Sequence, residues 1–283
     1  MQNLSDINEI KSLLSRHGFS FSKALGQNFI IDSEVCPEMA DSAIPTSDYG
    51  VLEIGPGIGV LTVELAKRAQ KVVSIELDER LLPILDETLK DFNNVTVINA
   101  DVMKLDLNKV IAEYFQGMKV VVCANLPYYI TSPIIMMLLE SKLPIESLTV
   151  MVQAEAADRL CADVGTRNAG AVTVAVNLYA KAEELFFVPR ESFMPSPKVD
   201  SKVMQLVIHA KPLFDIKNEK AFFSMIKGAF SMRRKTIMNS IPCGIKTTKE
   251  RLAEVLDNLG ISRTARIEQL NMQDLISIYN ALS

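Results

Sequence analysis

The chain has 283 residues, 48% of them apolar, which is enough for one large domain and a small one around a substantial core. No uninterrupted apolar stretch approaches the ~20 residues that span a bilayer, and no leader pattern is apparent, so a soluble, cytoplasmic protein is expected. The net charge of −4 conceals a division: residues 1–185 hold 15 Lys+Arg against 25 Asp+Glu, a net −10, whereas residues 186–283 hold 15 against 9, a net +6.

Through the first two thirds, short β-rich apolar runs alternate with helix-like segments, the pattern of a parallel sheet covered by helices. Strands are predicted at 51–54, 71–76, 95–98, 119–123 and 148–153. Helices are predicted between them at 60–69, 79–90, 107–115 and 132–141, then from 154 and over 171–179. Two further runs, 181–188 and 201–209, flank a loop marked by Pro189, Pro195 and Pro197 and are expected as an antiparallel pair closing the sheet. From Pro212 the pattern is helical, over 219–232, 248–259 and 271–282 with a break at 242–244. The expected division is a domain over 1–210, its first 30 residues an arm, and a helical domain over 211–283. No coiled-coil heptad enforces association, and a monomer is expected.

Residues 51–59 combine a strand end, the glycine turn Glu53-Ile54-Gly55-Pro56-Gly57-Ile58-Gly59 and a helix start, which lets backbone approach a ligand closely. A dinucleotide fingerprint needs a third glycine or small residue at position 60, where the chain has Val60, and no Gly-Lys-Ser/Thr follows for a phosphate loop. The spelling matches instead the first motif of S-adenosylmethionine (SAM) methyltransferases, which assigns Glu53, Gly55 and Gly57 to the cofactor. The second strand ends at Glu76, whose carboxylate can accept from both ribose hydroxyls. The third runs into Asp101 and Val102, which can accept from an adenine amino group and donate a backbone N–H to a ring nitrogen. Acidic residues at three successive strand ends, at crossover spacing, are hard to produce by accident.

The fourth strand leads directly into Asn125-Leu126-Pro127-Tyr128. The side-chain carbonyl of Asn125 and a backbone carbonyl beside the rigid Pro127 can accept from an exocyclic NH2, while Tyr128 offers a face for a base. An enzyme acting on a nucleobase amine is therefore expected, with Phe193 as the opposing aromatic. Its four cysteines (Cys36, Cys123, Cys161, Cys243) and two histidines (His17, His209) are too scattered for a metal signature or a His-dependent nucleophile, so no metal is expected.

These motifs, with 23–30 (Lys-Ala-Leu-Gly-Gln-Asn-Phe-Ile), 193–201 (Phe-Met-Pro-Ser-Pro-Lys-Val-Asp-Ser) and 232–236 (Met-Arg-Arg-Lys-Thr), together resemble the ribosomal RNA adenine dimethyltransferases from about residue 20 to 240. The resemblance implies a Rossmann-like SAM-dependent methyltransferase sheet with a small C-terminal helical domain. It implies N6,N6-dimethylation of two adjacent adenines in the 3′-terminal hairpin of 16S rRNA in the small ribosomal subunit. By the same resemblance, Asn28 and Ile30 close over the methionine portion of SAM. Two places depart from the family pattern: Asn168-Ala169-Gly170 replaces an aromatic-Gly step, and Tyr129 follows Tyr128 where some relatives carry Asn.

The basic residues Lys198, Lys202, Arg233, Arg234 and Lys235 are expected on the RNA backbone, where cations supply affinity with little sequence information. The rival readings are a 23S rRNA adenine methylase of the macrolide-resistance type, an assembly factor without catalysis, and a small-molecule methyltransferase, for which the basic half has no use.

Overall fold

A computed structural model describes residues 4–22, 26–211 and 213–283. Lys23, Ala24 and Leu25 of the N-terminal motif lie outside the described residues, as does Pro212, where the helical part is expected to begin. The first half contains α1 (Ile7–Arg16), β1 (Phe29–Ile30), α2 (Val35–Ala43), β2 (Gly50–Ile54), α3 (Val60–Ala66), β3 (Lys71–Glu76), α4 (Leu82–Thr88), β4 (Val95–Asn99), α5 (Leu107–Phe115) and β5 (Val120–Asn125). Next come α6 (Thr131–Glu140), β6 (Ser147–Gln153), α7 (Ala154–Leu160), α8 (Ala171–Tyr179), β7 (Ala180–Val188), β8 (Phe193–Met194) and β9 (Ser201–Ile208). The chain ends with α9 (Glu219–Ser231), α10 (Ile237–Ser240), α11 (Lys249–Asn258) and α12 (Met272–Leu282).

The main sheet has the order β4-β3-β2-β5-β6-β9-β7. Its first five strands pair in parallel, and β9 runs antiparallel to β6. Parallel strands need helical crossovers that cover both faces, which is why β2 and most of β5 are buried at every position and read as continuous apolar runs. The chain enters at β2, builds outward through β3 and β4, then returns to the other side of β2 with β5. The strand order reverses between β2 and β5, and the crevice beyond their carboxyl ends is where such sheets receive ligands.

Several elements differ from the sequence reading. The helix expected over 79–90 is divided into a 3-10 turn at Glu79–Leu81, capped by Asp78, and α4, which carries Pro83 in its first turn. Proline has no N–H to continue a helical ladder, so the break falls there. Helices α1 and α2 have no counterpart in the sequence reading. In α1, Asp6 Oδ1 accepts from the N–H groups of Asn8 and Glu9 at 2.7 and 3.0 Å, and Ile10, Leu13 and Leu14 form the buried stripe.

By contacts the chain divides into two units, one of the described residues in Met1–Ala157 with Ala182–Ile208, the other of Asp158–Lys181 with the described part of His209–Ser283. The boundary differs from the single one expected after residue 210, because 158–181 packs with the C-terminal helices. Tyr179 of α8 stacks on Phe223 of α9 at 5.8 Å, and Phe222 meets both Phe223 and Tyr279 edge-on. The second unit holds 15 Lys+Arg against 9 Asp+Glu, so it carries the full +6.

Candidate active site

Beyond β2, Gly55, Gly57 and Gly59 adopt φ of 72°, 61° and 92°. A Cβ on Gly57 would stand 3.3 Å from the Phe29 ring, so a side chain there is opposed by both backbone and neighbour. The Gly57 N–H donates to Glu76 Oε2 at 3.2 Å, and the Asp78 N–H donates to Glu76 Oε1 at 2.8 Å. Burial raises the Glu76 carboxyl above its ordinary value, and these N–H groups oppose the rise. A carboxylate offers about four lone-pair sites, so acceptor capacity remains beyond these bonds.

The N-terminal motif reaches the crevice through a two-residue ladder in which β1 pairs antiparallel with β8, Phe29 opposite Met194 and Ile30 opposite Phe193. Gln27 anchors it: its Nε2 donates to Asp78 Oδ2 at 2.7 Å, and its Oε1 accepts from the Ser22 N–H at 2.9 Å. Arg80 holds the same Asp78 carboxylate at 2.6 Å, which keeps that carboxyl below its usual range. Gln27 lines the cavity but was not singled out from the sequence, where nothing marks an amide as the partner of an aspartate fifty-one residues away.

The tetrad is braced on two sides. The Leu126 N–H donates to the Met151 carbonyl of β6 at 3.1 Å, and the Pro127 carbonyl accepts from the Ile130 N–H and Thr131 Oγ1, each at 3.1 Å, where α6 begins. The Tyr128 hydroxyl shares a 2.7 Å hydrogen bond with Ser201 Oγ at the start of β9, and burial raises the phenol above its ordinary value. Among the described residues none hydrogen-bonds to the side chain of Asn125. Phe193 is buried, belonging both to the core and to the cavity wall.

One cavity is lined by Asn28, Ile30, Gly55, Gly57, Glu76 and Asp101, together with Val102, Asn125, Leu126, Pro127, Tyr128 and Phe193. The Asp101 carboxylate also accepts from the Met103 N–H at 3.0 Å and pairs with Lys104 at 3.3 Å. Glu53 is the exception among the residues expected at the cofactor, because its side chain is fully buried and does not line the cavity. Its Oε2 accepts from Thr62 Oγ1 at 2.7 Å and Ser74 Oγ at 2.6 Å, its Oε1 has no partner among the described residues, and burial pushes its carboxyl up to about 7. It braces β2 against α3 and β3 instead of facing a ligand.

The expected RNA-contact residues divide by what their cations already touch. Lys198, Arg234 and Lys235 are exposed. Lys202 pairs with Glu184 at 2.8 Å, and Arg233 is held by the Glu268 carboxylate and the Arg167 carbonyl. Among the described residues no cluster of His, Cys, Asp and Glu is arranged to hold a metal ion, and no helix is long and apolar enough to cross a membrane.

Residues 18–283 match the sequence profile of the family described as ribosomal RNA adenine dimethylase. The chain is 46% identical over 286 aligned positions to the ribosomal RNA small subunit methyltransferase A of Bacillus mycoides, covering 100% of this chain and 98% of that protein. It is equally similar, with the same coverage, to its counterpart from Bacillus cereus. Among solved structures, it resembles the 23S rRNA methyltransferase ErmE with 31% identity and a TM-score of 0.63, over 90% of this chain and 99% of that one. It also resembles a dimethyladenosine transferase from Plasmodium falciparum with 26% identity and a TM-score of 0.69, over 88% and 95% of the two chains.

Proposed function

The chain belongs to the ribosomal RNA adenine dimethylase family, and from that premise we propose that the cavity binds SAM and receives, in turn, two adjacent adenines of the 3′-terminal hairpin of 16S rRNA. The protein is a ribosomal RNA methyltransferase. Its identity to small-subunit enzymes, 46% over the whole chain against 31% to the 23S enzyme, favours the small-subunit substrate and a role in cytoplasmic subunit assembly.

The observation that carries the chemistry is the Asn125 side chain, which stands on the cavity wall without a hydrogen bond to any described residue while the backbone around it is braced. A polar amide kept so is matched to an external donor. SAM suits the remaining wall: Glu76 provides acceptors for ribose hydroxyls, Asp101 and the Val102 backbone N–H suit an adenine edge, and Gly55 and Gly57 leave room for close approach. When bound, SAM supplies a methyl group activated by a positively charged sulfur.

The adenine N6 amine is a weak nucleophile because its lone pair is delocalised into the ring. Hydrogen bonds from that amine to the Asn125 side-chain carbonyl and the Leu126 carbonyl favour a pyramidal nitrogen and orient its lone pair. Tyr128 acts through its face, since its hydroxyl is already bonded to Ser201. Extruding the base costs a few kcal/mol, of which stacking recovers about 1–3. Once methylation makes the nitrogen cationic its proton leaves to water, so no strong base is required. Lys198, Arg234 and Lys235 are assigned to phosphates, whereas Arg233 and Lys202 serve to hold local structure.

The test is methyl transfer from labelled SAM to unmethylated 30S particles and, in parallel, to 23S rRNA, with nucleoside analysis and Asn125→Ala as the control. N6,N6-dimethyladenosine in 16S rRNA, lost in the variant, is expected. Label confined to 23S rRNA moves the protein to the resistance-type relatives, and SAM binding without RNA label removes the catalytic reading.

A further inference from the structure

Tyr128 and Tyr129 are consecutive, line the same cavity and are placed in opposite ways. Tyr128 is half-buried and tied through its hydroxyl to Ser201. Tyr129 is 56% exposed, and among the described residues its hydroxyl has no hydrogen-bond partner. Its ring passes beside Gly26 of the N-terminal motif, with Cδ1 3.5 Å and Cε1 3.9 Å from where a Cβ on that glycine would stand. The ring therefore adjoins a motif that lines the cavity and leaves more than half of its surface to solvent. Leu77, 50% exposed, adds apolar surface to the same cavity.

We infer that Tyr129 forms a second base subsite at the cavity rim, a stacking platform for the nucleobase next to the adenine held at Asn125 and Tyr128. The inference rests on the RNA-adenine reading above. Extruding one base removes a stacking partner from its neighbour, and an exposed aromatic face adjoining the pocket replaces that partner for any base, since every base presents a π-face. The two tyrosines thus divide the work: the inner ring orients the base that reacts, and the outer ring holds the strand beside it. With two adjacent target adenines, the base on the outer ring during one round is the one that enters the pocket in the other.

The magnitude follows from base–aromatic stacking, about 1–3 kcal/mol, which corresponds to roughly 5- to 150-fold in affinity. Full-length wild type, Tyr129→Ala and Tyr129→Phe are compared for SAM affinity and for kcat and KM on unmethylated 30S particles. A parallel set of particles is reconstituted with an abasic nucleotide beside a target adenine. Tyr129→Ala should raise KM for the particle roughly 5- to 150-fold, a larger change than any in SAM affinity or kcat. Tyr129→Phe should behave as wild type, because stacking needs the ring and not the hydroxyl. The abasic particle should cost wild type as much as the alanine substitution does and cost Tyr129→Ala nothing further. An unchanged KM in Tyr129→Ala, a loss of kcat alone, equal damage from Tyr129→Phe, or additive effects of variant and abasic site would each overturn the subsite. Wild type that binds SAM but methylates no RNA would instead remove the reading on which it rests, which separates the two failures.

Discussion

Replacing Glu53 by Gln tests whether this carboxyl is a structural group whose neutral form is favoured by burial. Its rise from an ordinary 4.5 to about 7 corresponds to about 3 kcal/mol of differential stability between its two protonation states. Because the folded-state value lies above the unfolded one, the contribution to stability is complete below about pH 4.5 and is lost as pH rises through about 7. The substituted amide would keep an acceptor for Thr62 and Ser74 and never carry a charge. Any constant cost of that amide cancels when two pH values are compared. Thermal or urea unfolding of both proteins at pH 5, 6, 7 and 8, without cofactor, should show the variant gaining on wild type with rising pH, by about 2.5 kcal/mol or on the order of 5–10 °C in melting temperature. SAM affinity should change little, since Glu53 does not line the cavity. Parallel pH profiles for the two proteins would refute the reasoning.

Three further outcomes are expected. Ser201→Ala leaves the Tyr128 hydroxyl without its partner and should cost about 1–3 kcal/mol of stability and lower kcat, while adding Tyr128→Phe should recover part of the stability, as a double-mutant cycle by unfolding and turnover would show. Gly57→Ala meets a φ of 61° and the nearby Phe29 ring, so a strain of about 1–2 kcal/mol should appear as weaker SAM binding by calorimetry, with unchanged affinity counting against the turn's role. Removing both exposed cations in Arg234→Ala/Lys235→Ala should reduce the salt dependence of RNA affinity by about two in the slope of log K against log salt, whereas a uniform loss at every salt concentration would place them outside the phosphate contacts.

Local signals made much of this molecule legible. The parallel strands were visible as apolar runs because helices cover both faces, and the cofactor crevice was visible because a glycine turn follows one strand while acidic residues or Asn125 end the others. Helix α1 also had a readable signal, an Asp6 cap followed by a buried stripe at Ile10, Leu13 and Leu14, although its amphipathic pattern is short.

What depended on the tertiary structure involved partners brought together by strand order. Glu53 and Glu76 are both carboxylates near strand ends, yet one is enclosed by Thr62 and Ser74 while the other lines the cavity. The hydrogen bonds joining Gln27 to Asp78 and Tyr128 to Ser201 span 51 and 73 positions, and α8 packs on α9 only after the chain has returned from the sheet. The sequence by itself determined which short segments form strands, turns and helices, because those depend on residues a few positions apart. Which polar groups those segments turn toward one another was decided only when the sheet reversed its order between β2 and β5, placing Gly55 and Asn125 at neighbouring strand ends seventy residues apart.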